Sequence, residues 1–108
     1  MEYLSEVRMC ITKRDMRLLK NNLSKIESNI LDICNIKKEV LGFNDKRYIL
    51  LGWHNIEWFS KYKEILIIKN TLNEFKNKRL PFKFLRVGQN INDIEKHSFP
   101  DESHFIDS

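Results

Sequence analysis

The chain has 108 residues and a formal net charge of +4, a size that fits one domain and leaves no room for two ordinary ones. Hydrophobic residues make up 42% and charged residues 31%, which excludes a disordered chain. No apolar run approaches the roughly 18 residues that a membrane-spanning helix needs. The apolar residues are mostly large, with 13 Ile, 12 Leu and 7 Phe beside 3 Val and no Ala, so a core of bulky side chains is available.

The first predicted element is a strand at residues 3–11. Val7, Met9 and Ile11 occupy every second position there, a period typical of a strand with one buried face. Thr12 then opens the segment Thr12-Lys13-Arg14-Asp15, a capping-box pattern in which Asp takes the reciprocal position. A helix is therefore expected to begin directly after this strand.

That helix is predicted to run from residue 13 to about residue 40. Apolar residues recur along it at spacings of three and four without a break, at Met16, Leu19, Leu23, Ile26, Ile30 and Ile33. An alternative prediction breaks it into two helices at Asn21-Asn22, with Ser24 capping the second. The unshifted phase of the apolar stripe favours one helix.

A single helix of this length would measure about 42 Å at 1.5 Å per residue. A compact domain of this size has a radius of gyration near 13 Å, so the helix would span it or project beyond it. If the sheet covers the whole stripe, the protein can be a monomer; if the sheet is too small, we expect the remainder of the helix to pair with a second copy. The predicted homodimer contact is the helix Met16–Ile33.

The second half of the chain predicts two more strands and one more helix. Residues 46–59 are rich in β-forming types, and Ile49-Leu50-Leu51 within them predicts a strand covered on both faces. Residues 60–79 predict a helix, since apolar residues recur at spacings of three and four. Phe82–Val87 predicts the last strand, after Pro81.

The predicted fold class is α+β, in the order strand, helix, strand, helix, strand. About three strands would form a small sheet that packs with the long N-terminal helix and the second helix. Residues 1–90 are expected to form this single domain. Residues 91–108 are expected to be an acidic, loosely packed C-terminal tail.

Charge is distributed unevenly along the chain. Residues 1–42 carry a net charge of +2, residues 43–88 carry +6, and residues 89–108 carry −4. The middle segment predicts contact with phosphate groups of RNA or DNA, and the alternative is a solvated lysine-rich face. The acidic end is expected to be solvated, or to fold over the basic segment or contact a partner.

The sequence contains no catalytic signature. The glycines are isolated, no CxxC pair exists, and no nucleophile elbow surrounds a serine, so no catalytic residue, cofactor or metal is predicted. A small enzyme would need a pocket near His54 or Glu57. Cys10 and Cys34 are expected to be free thiols, and with no secretory-signal pattern they indicate a cytoplasmic location.

Residues 53–62 hold both tryptophans together with a histidine, a phenylalanine and a tyrosine. Such residues are enriched at interfaces and, beside lysines, can stack on bases. The alternative is that the rings of Trp53, Trp58 and Phe59 build the core, with one ring of the cluster partly exposed. The predicted partner-binding residues are Arg47, Trp53, His54, Trp58, Lys61, Tyr62, Lys63 and Arg86.

Residues 46–96 resemble small proteins of phages and mobile elements in low-GC bacteria. The resemblance lies in Tyr48-Ile49-Leu50-Leu51-Gly52-Trp53, Ile56-Glu57-Trp58-Phe59, Phe84-Leu85-Arg86-Val87-Gly88 and Asn92-Asp93-Ile94-Glu95. It implies a stoichiometric inhibitor of bacterial defence, of the anti-CRISPR kind, that binds a protein or ribonucleoprotein complex in the bacterial cytoplasm. The alternative function is a small basic nucleic-acid-binding module.

Overall fold

A computed structural model describes residues 2–42 and 45–100 of the chain. The elements in chain order are β1 (Ser5–Thr12), α1 (Met16–Leu23), β2 (Ile36–Leu41), β3 (Arg47–Ile56), α2 (Lys63–Asn77), β4 (Phe82–Val87) and β5 (Ile94–Phe99). The strands form one antiparallel sheet in the order β2-β3-β1-β4-β5. From β1 to β4 the chain follows the split βαβ, or ferredoxin-like, connectivity, and β5 adds a strand beside β4.

The predicted long N-terminal helix is wrong, because α1 ends at Leu23 and residues 24–35 form turns and irregular backbone. The two-helix alternative is wrong for the same reason. Local polar side chains compete with helical hydrogen bonding here. The Ser24 hydroxyl donates to the Asn21 carbonyl oxygen at 2.6 Å, and the Ser28 hydroxyl accepts from the Ile30 N–H at 3.2 Å.

Strand β2 occupies residues that were predicted to be the end of that helix. Ile36 and Val40 are four positions apart, a spacing that places two side chains on one face of either a helix or a strand. In the sheet, Ile36 pairs with Gly52 and Val40 pairs with Tyr48. The spacing therefore carried no information about which of the two structures forms.

Strand β5 is the second strand that the sequence analysis did not predict, so the sheet has five strands instead of about three. It pairs with β4 along its whole length, from Phe99 opposite Phe82 to Ile94 opposite Val87. Its sequence lacks the apolar alternation of an inner strand, as an edge strand can. Residues 101–108, the end of the expected tail, lie outside the described residues.

The core lies between one face of the sheet and the two helices. The sheet contributes alternate residues of β1, β3 and β4, and the helices contribute their apolar stripes. The buried side chains include Val7, Met9, Ile11, Leu19, Leu51, Trp53, Ile65, Ile68, Phe75, Phe82 and Phe84. Asn22 of α1 donates to the Thr71 hydroxyl of α2 at 2.9 Å, which fixes the two helices side by side.

Most of the apolar stripe that suggested a homodimer is buried in this core. Met16, Leu19, Leu23 and Ile30 are buried, and the Ile30 carbonyl oxygen accepts from the Trp53 indole at 2.9 Å. The predicted dimer contact, a helix over Met16–Ile33, is therefore wrong as a helix, because α1 ends at Leu23.

Candidate binding surface

Both tryptophans of the aromatic cluster lie in the core. Trp53 is 1% exposed and Trp58 is 4% exposed, and their ring centroids are 5.5 Å apart. Trp58 also packs against Phe84, at a centroid distance of 5.8 Å. In this fold neither ring is available to a partner, so the two are removed from the candidate site.

Arg47 and His54 lie toward opposite ends of β3. Seven residues of extended chain separate them by about 23 Å. The Arg47 guanidinium is 3.6 Å from the carboxylate of Glu39, and His54 Nδ1 is 2.7 Å from the carboxylate of Glu6. Their distance excludes a single compact site that contains both residues.

Lys61, Tyr62 and Lys63 form the turn into α2. The Lys61 ammonium lies over the rings of Tyr62 and Phe59, at 5.5 and 5.7 Å from their centroids. The Tyr62 hydroxyl donates to Glu57 at 3.4 Å, and partial burial, followed by the charge of Glu57, raises the pKa of Tyr62. Lys63 is exposed. Lys61 and Tyr62 are therefore engaged in contacts within this turn, whereas Lys63 faces solvent.

Arg86 is the centre of a partly buried ion-pair network. Its guanidinium is 2.7 Å from Asp93 and 3.0 Å from Glu95, and it also donates to the Ser5 hydroxyl at 3.2 Å. The Tyr3 hydroxyl donates to Asp93 as well. The hydrogen bond from Arg86, with the one from Tyr3, lowers the pKa of Asp93 to about 2. Arg86 therefore joins β4 to the β4–β5 connection.

The basic segment 43–88 does not form one positive patch. Arg86 is neutralised by Asp93 and Glu95, which belong to the acidic C-terminal segment, and Arg47 faces Glu39 of β2. Within the segment, Lys78 pairs with Glu74 at 2.7 Å. Charge counted along the chain therefore misplaces the positive surface, because the sheet brings distant carboxylates to these cations.

The opposite face of the sheet is the surface that sequence reasoning missed. Neither helix covers it in the described part of the chain, since the core cluster takes the alternate residues of each strand. We call it the uncovered face. By register it consists of Ile36, Lys38 and Val40, Tyr48, Leu50, Gly52 and His54, Glu6, Arg8 and Cys10, Lys83, Leu85 and Val87, and Ile94, Lys96 and Ser98.

The uncovered face is both basic and apolar. Among these described positions, Arg8, Lys38, Lys83 and Lys96 are positive and Glu6 is the single carboxylate. Seven further positions hold aliphatic or tyrosine side chains, although a sheet face exposed to water usually carries polar residues. The period-two alternation of the strands was the signal that could have identified this face.

Gly52 allows two side chains to lie flat across this face. A Cβ atom at this position would lie 3.0 Å from Ile36 and 3.1 Å from the Arg8 side chain, closer than ordinary packing allows. Arg8 crosses toward His54 and comes within 3.6 Å of Glu6. The His54 hydrogen bond, with smaller contributions from Asn55 and Arg8, lowers the pKa of Glu6. This carboxylate is therefore engaged at one end of the face.

Cys10 lies near the centre of the uncovered face and is half-buried. Burial raises the pKa of its thiol, against a smaller opposite effect of Lys83. A raised pKa keeps the group protonated at neutral pH, and the thiolate is the nucleophilic form. Cys10 therefore contributes an apolar surface rather than a reactive one.

Residues 2–42 and 45–100 contain no cluster of three or more His, Cys, Asp or Glu side chains that could hold a metal ion. In the same residues, no helix has the length and apolar character needed to cross a membrane. No protein family, curated protein or solved structure matches the chain.

Proposed function

We propose that the protein is a non-enzymatic binding protein whose uncovered face binds an acidic surface of a protein or ribonucleoprotein. The observation that carries this proposal is the excess of four cations over one carboxylate on a sheet face that also presents apolar side chains. A positive face attracts a negative partner and selects against positive ones. The apolar side chains supply area that becomes buried on binding.

Protein is favoured over nucleic acid as the contacting component. Sheets that read single-stranded RNA present aromatic side chains on which bases stack. On the uncovered face the single such ring among the described residues, apart from the His54 imidazole, is Tyr48. That ring lies so close to Gly42 that a Cβ atom there would overlap it. A basic nucleic-acid-binding module is the second candidate, supported by the same four cations.

The partner class expected from the resemblance remains part of this proposal. A stoichiometric inhibitor needs a surface and no catalytic group, and it would act in the cytoplasm of a bacterial host. A defence nucleoprotein offers acidic protein surfaces as well as nucleic acid. A panel of purified CRISPR effector complexes is therefore the first set of partners to test.

A pair of neighbouring lysines supplies the decisive variants. Lys38 lies on the uncovered face, while Lys37 points to the other side of the same exposed strand. For a complex that binds, we expect Lys38→Glu to weaken the Kd by about tenfold or more, and Lys37→Glu to leave it nearly unchanged. Calorimetry measures both. Equal effects of the two variants, or no effect of Lys38→Glu, would overturn the proposed surface.

A gel shift with a single-stranded RNA and a duplex DNA separates the two candidate functions. Nucleic-acid binding that falls steeply between about 50 and 200 mM salt would establish the second candidate. Absence of a shift at low salt removes it and leaves the protein-binding proposal.

A further inference from the structure

A shallow depression in the uncovered face is the most specific feature of that face. Its lining includes the partly buried Cys10, Leu50 and Leu85, together with the cations Arg8, Lys83 and Lys96. The depression encloses about 280 Å³. This volume is below the range of about 300–1,000 Å³ that is usual for small-molecule sites. It suits one side chain of a larger partner better than a metabolite.

The sheet register explains why these side chains meet. Cys10 of β1 stands opposite Leu50 of β3 on one side and opposite Lys83 of β4 on the other. Leu85 lies in the next row of side chains on the same face, opposite Lys96 of β5. Side chains directly opposite each other on one face are about 5 Å apart, so both rows border the same hollow.

The depression is lined by both apolar and cationic side chains. Burial of the Cys10 thiol is consistent with an apolar part of the lining. Lys83 and Lys96 are both exposed, and their long side chains can follow a bound segment while keeping the ammonium groups in water. Glu6, the carboxylate of this face, is engaged with His54 and does not line the hollow.

We propose that the depression receives one large apolar side chain from an acidic segment of the partner protein, whose flanking carboxylates pair with cations of the lining, Lys96 first among them. This inference rests on the proposed function, since it names the feature that the partner must carry. Anchoring of one apolar side chain in a pocket surrounded by charged contacts is the arrangement in which few residues dominate binding.

The test uses two acidic seven-residue peptides that differ only at the central position, which is leucine in one and serine in the other. The other six positions are Glu or Asp. Each peptide is titrated into the ¹⁵N-labelled full chain and followed by NMR. We expect the amide signals of Cys10, Leu50 and Leu85 to shift, and the serine peptide to bind about tenfold more weakly or worse.

Two leucine variants provide the matched control. Leu85 lines the depression, whereas Leu66 is 46% exposed on α2, away from the sheet face. Leu85→Ser should abolish the difference between the peptides, and Leu66→Ser should preserve it. The dispersion of each amide spectrum verifies that the variant is folded.

The outcomes separate the anchor from the proposed function. If both peptides bind equally and Lys38→Glu still disrupts the complex, the anchor is wrong and the binding face stands. If neither peptide shifts the signals of this face and Lys38→Glu has no effect on any complex, both proposals fail. If a single-stranded RNA shifts the same amides and the peptides do not, the face is a nucleic-acid surface and the anchor is overturned.

Discussion

The two faces of this sheet are built from neighbouring residues of the same strands, yet they differ in burial and in what covers them. On the covered face, Leu51 and Trp53 are sealed against two helices, and even the charged Arg86 is neutralised by carboxylates within hydrogen-bond distance. On the uncovered face, Leu50 remains partly exposed among lysines. One face therefore maintains the fold, while substitutions on the other can specialise it for a partner without unfolding the protein.

The largest expected effect contrasts one residue from each face. Trp53→Ala should lower the free energy of unfolding by about 3–5 kcal/mol, because it leaves a cavity and unpairs the Ile30 carbonyl oxygen. Leu50→Ser, on the uncovered face, should cost about 1 kcal/mol or less. Urea unfolding measured on both variants tests the contrast. Similar losses would mean that Leu50 also belongs to the core.

A second prediction compares the two core tryptophans. Trp53 donates to the Ile30 carbonyl oxygen, whereas Trp58 Nε1 is buried and has no hydrogen-bond partner among the described residues. Replacement by Phe removes similar volume at both sites. Trp53→Phe should therefore be less stable than Trp58→Phe by about 1–3 kcal/mol, the cost of an unpaired buried group. Equal thermal stability of the two variants would contradict this assignment.

The smallest expected effect concerns acid stability at the edge of the covered face. Asp93 has a folded pKa of about 2, below its ordinary value of 3.8, so its contribution is complete above about pH 4 and is lost as the pH falls toward 2. Asp93→Asn removes this contribution. Unfolding measured across pH 2–5 should thus show a shallower acid decline for the variant. An unchanged slope would show that Arg86 does not hold this carboxylate.

Sequence patterns located the elements whose residues repeat with one unambiguous period. Val7, Met9 and Ile11 indicated β1, and Phe82–Val87 was placed at the observed bounds of β4. The spacing of Ile36 and Val40 satisfied two periods, and only pairing with β3 decides between them. Ile30 continued a helical stripe but reaches the core from a turn, held by Trp53.

The candidate site was harder to locate because it depends on how many layers cover the sheet. Ile49-Leu50-Leu51 predicted a strand covered on both faces, and that prediction is wrong because Leu50 faces away from the helices. An apolar run cannot distinguish a second layer from an unoccupied docking surface. The sequence likewise did not predict the acidic partners of Arg86, because Asp93 and Glu95 lie beside it only when β5 pairs with β4.

The position of β1 in the sheet has a consequence for synthesis of the chain. β1 is made first, but it lies in the centre, where Val7 pairs with Trp53 on one side and with Arg86 on the other. A nascent chain released from the ribosomal tunnel therefore exposes one edge of its central strand until β4 has emerged. Contacts between such distant residues also slow folding. The interval before β4 arrives is when this protein is most open to wrong strand pairing and to chaperones.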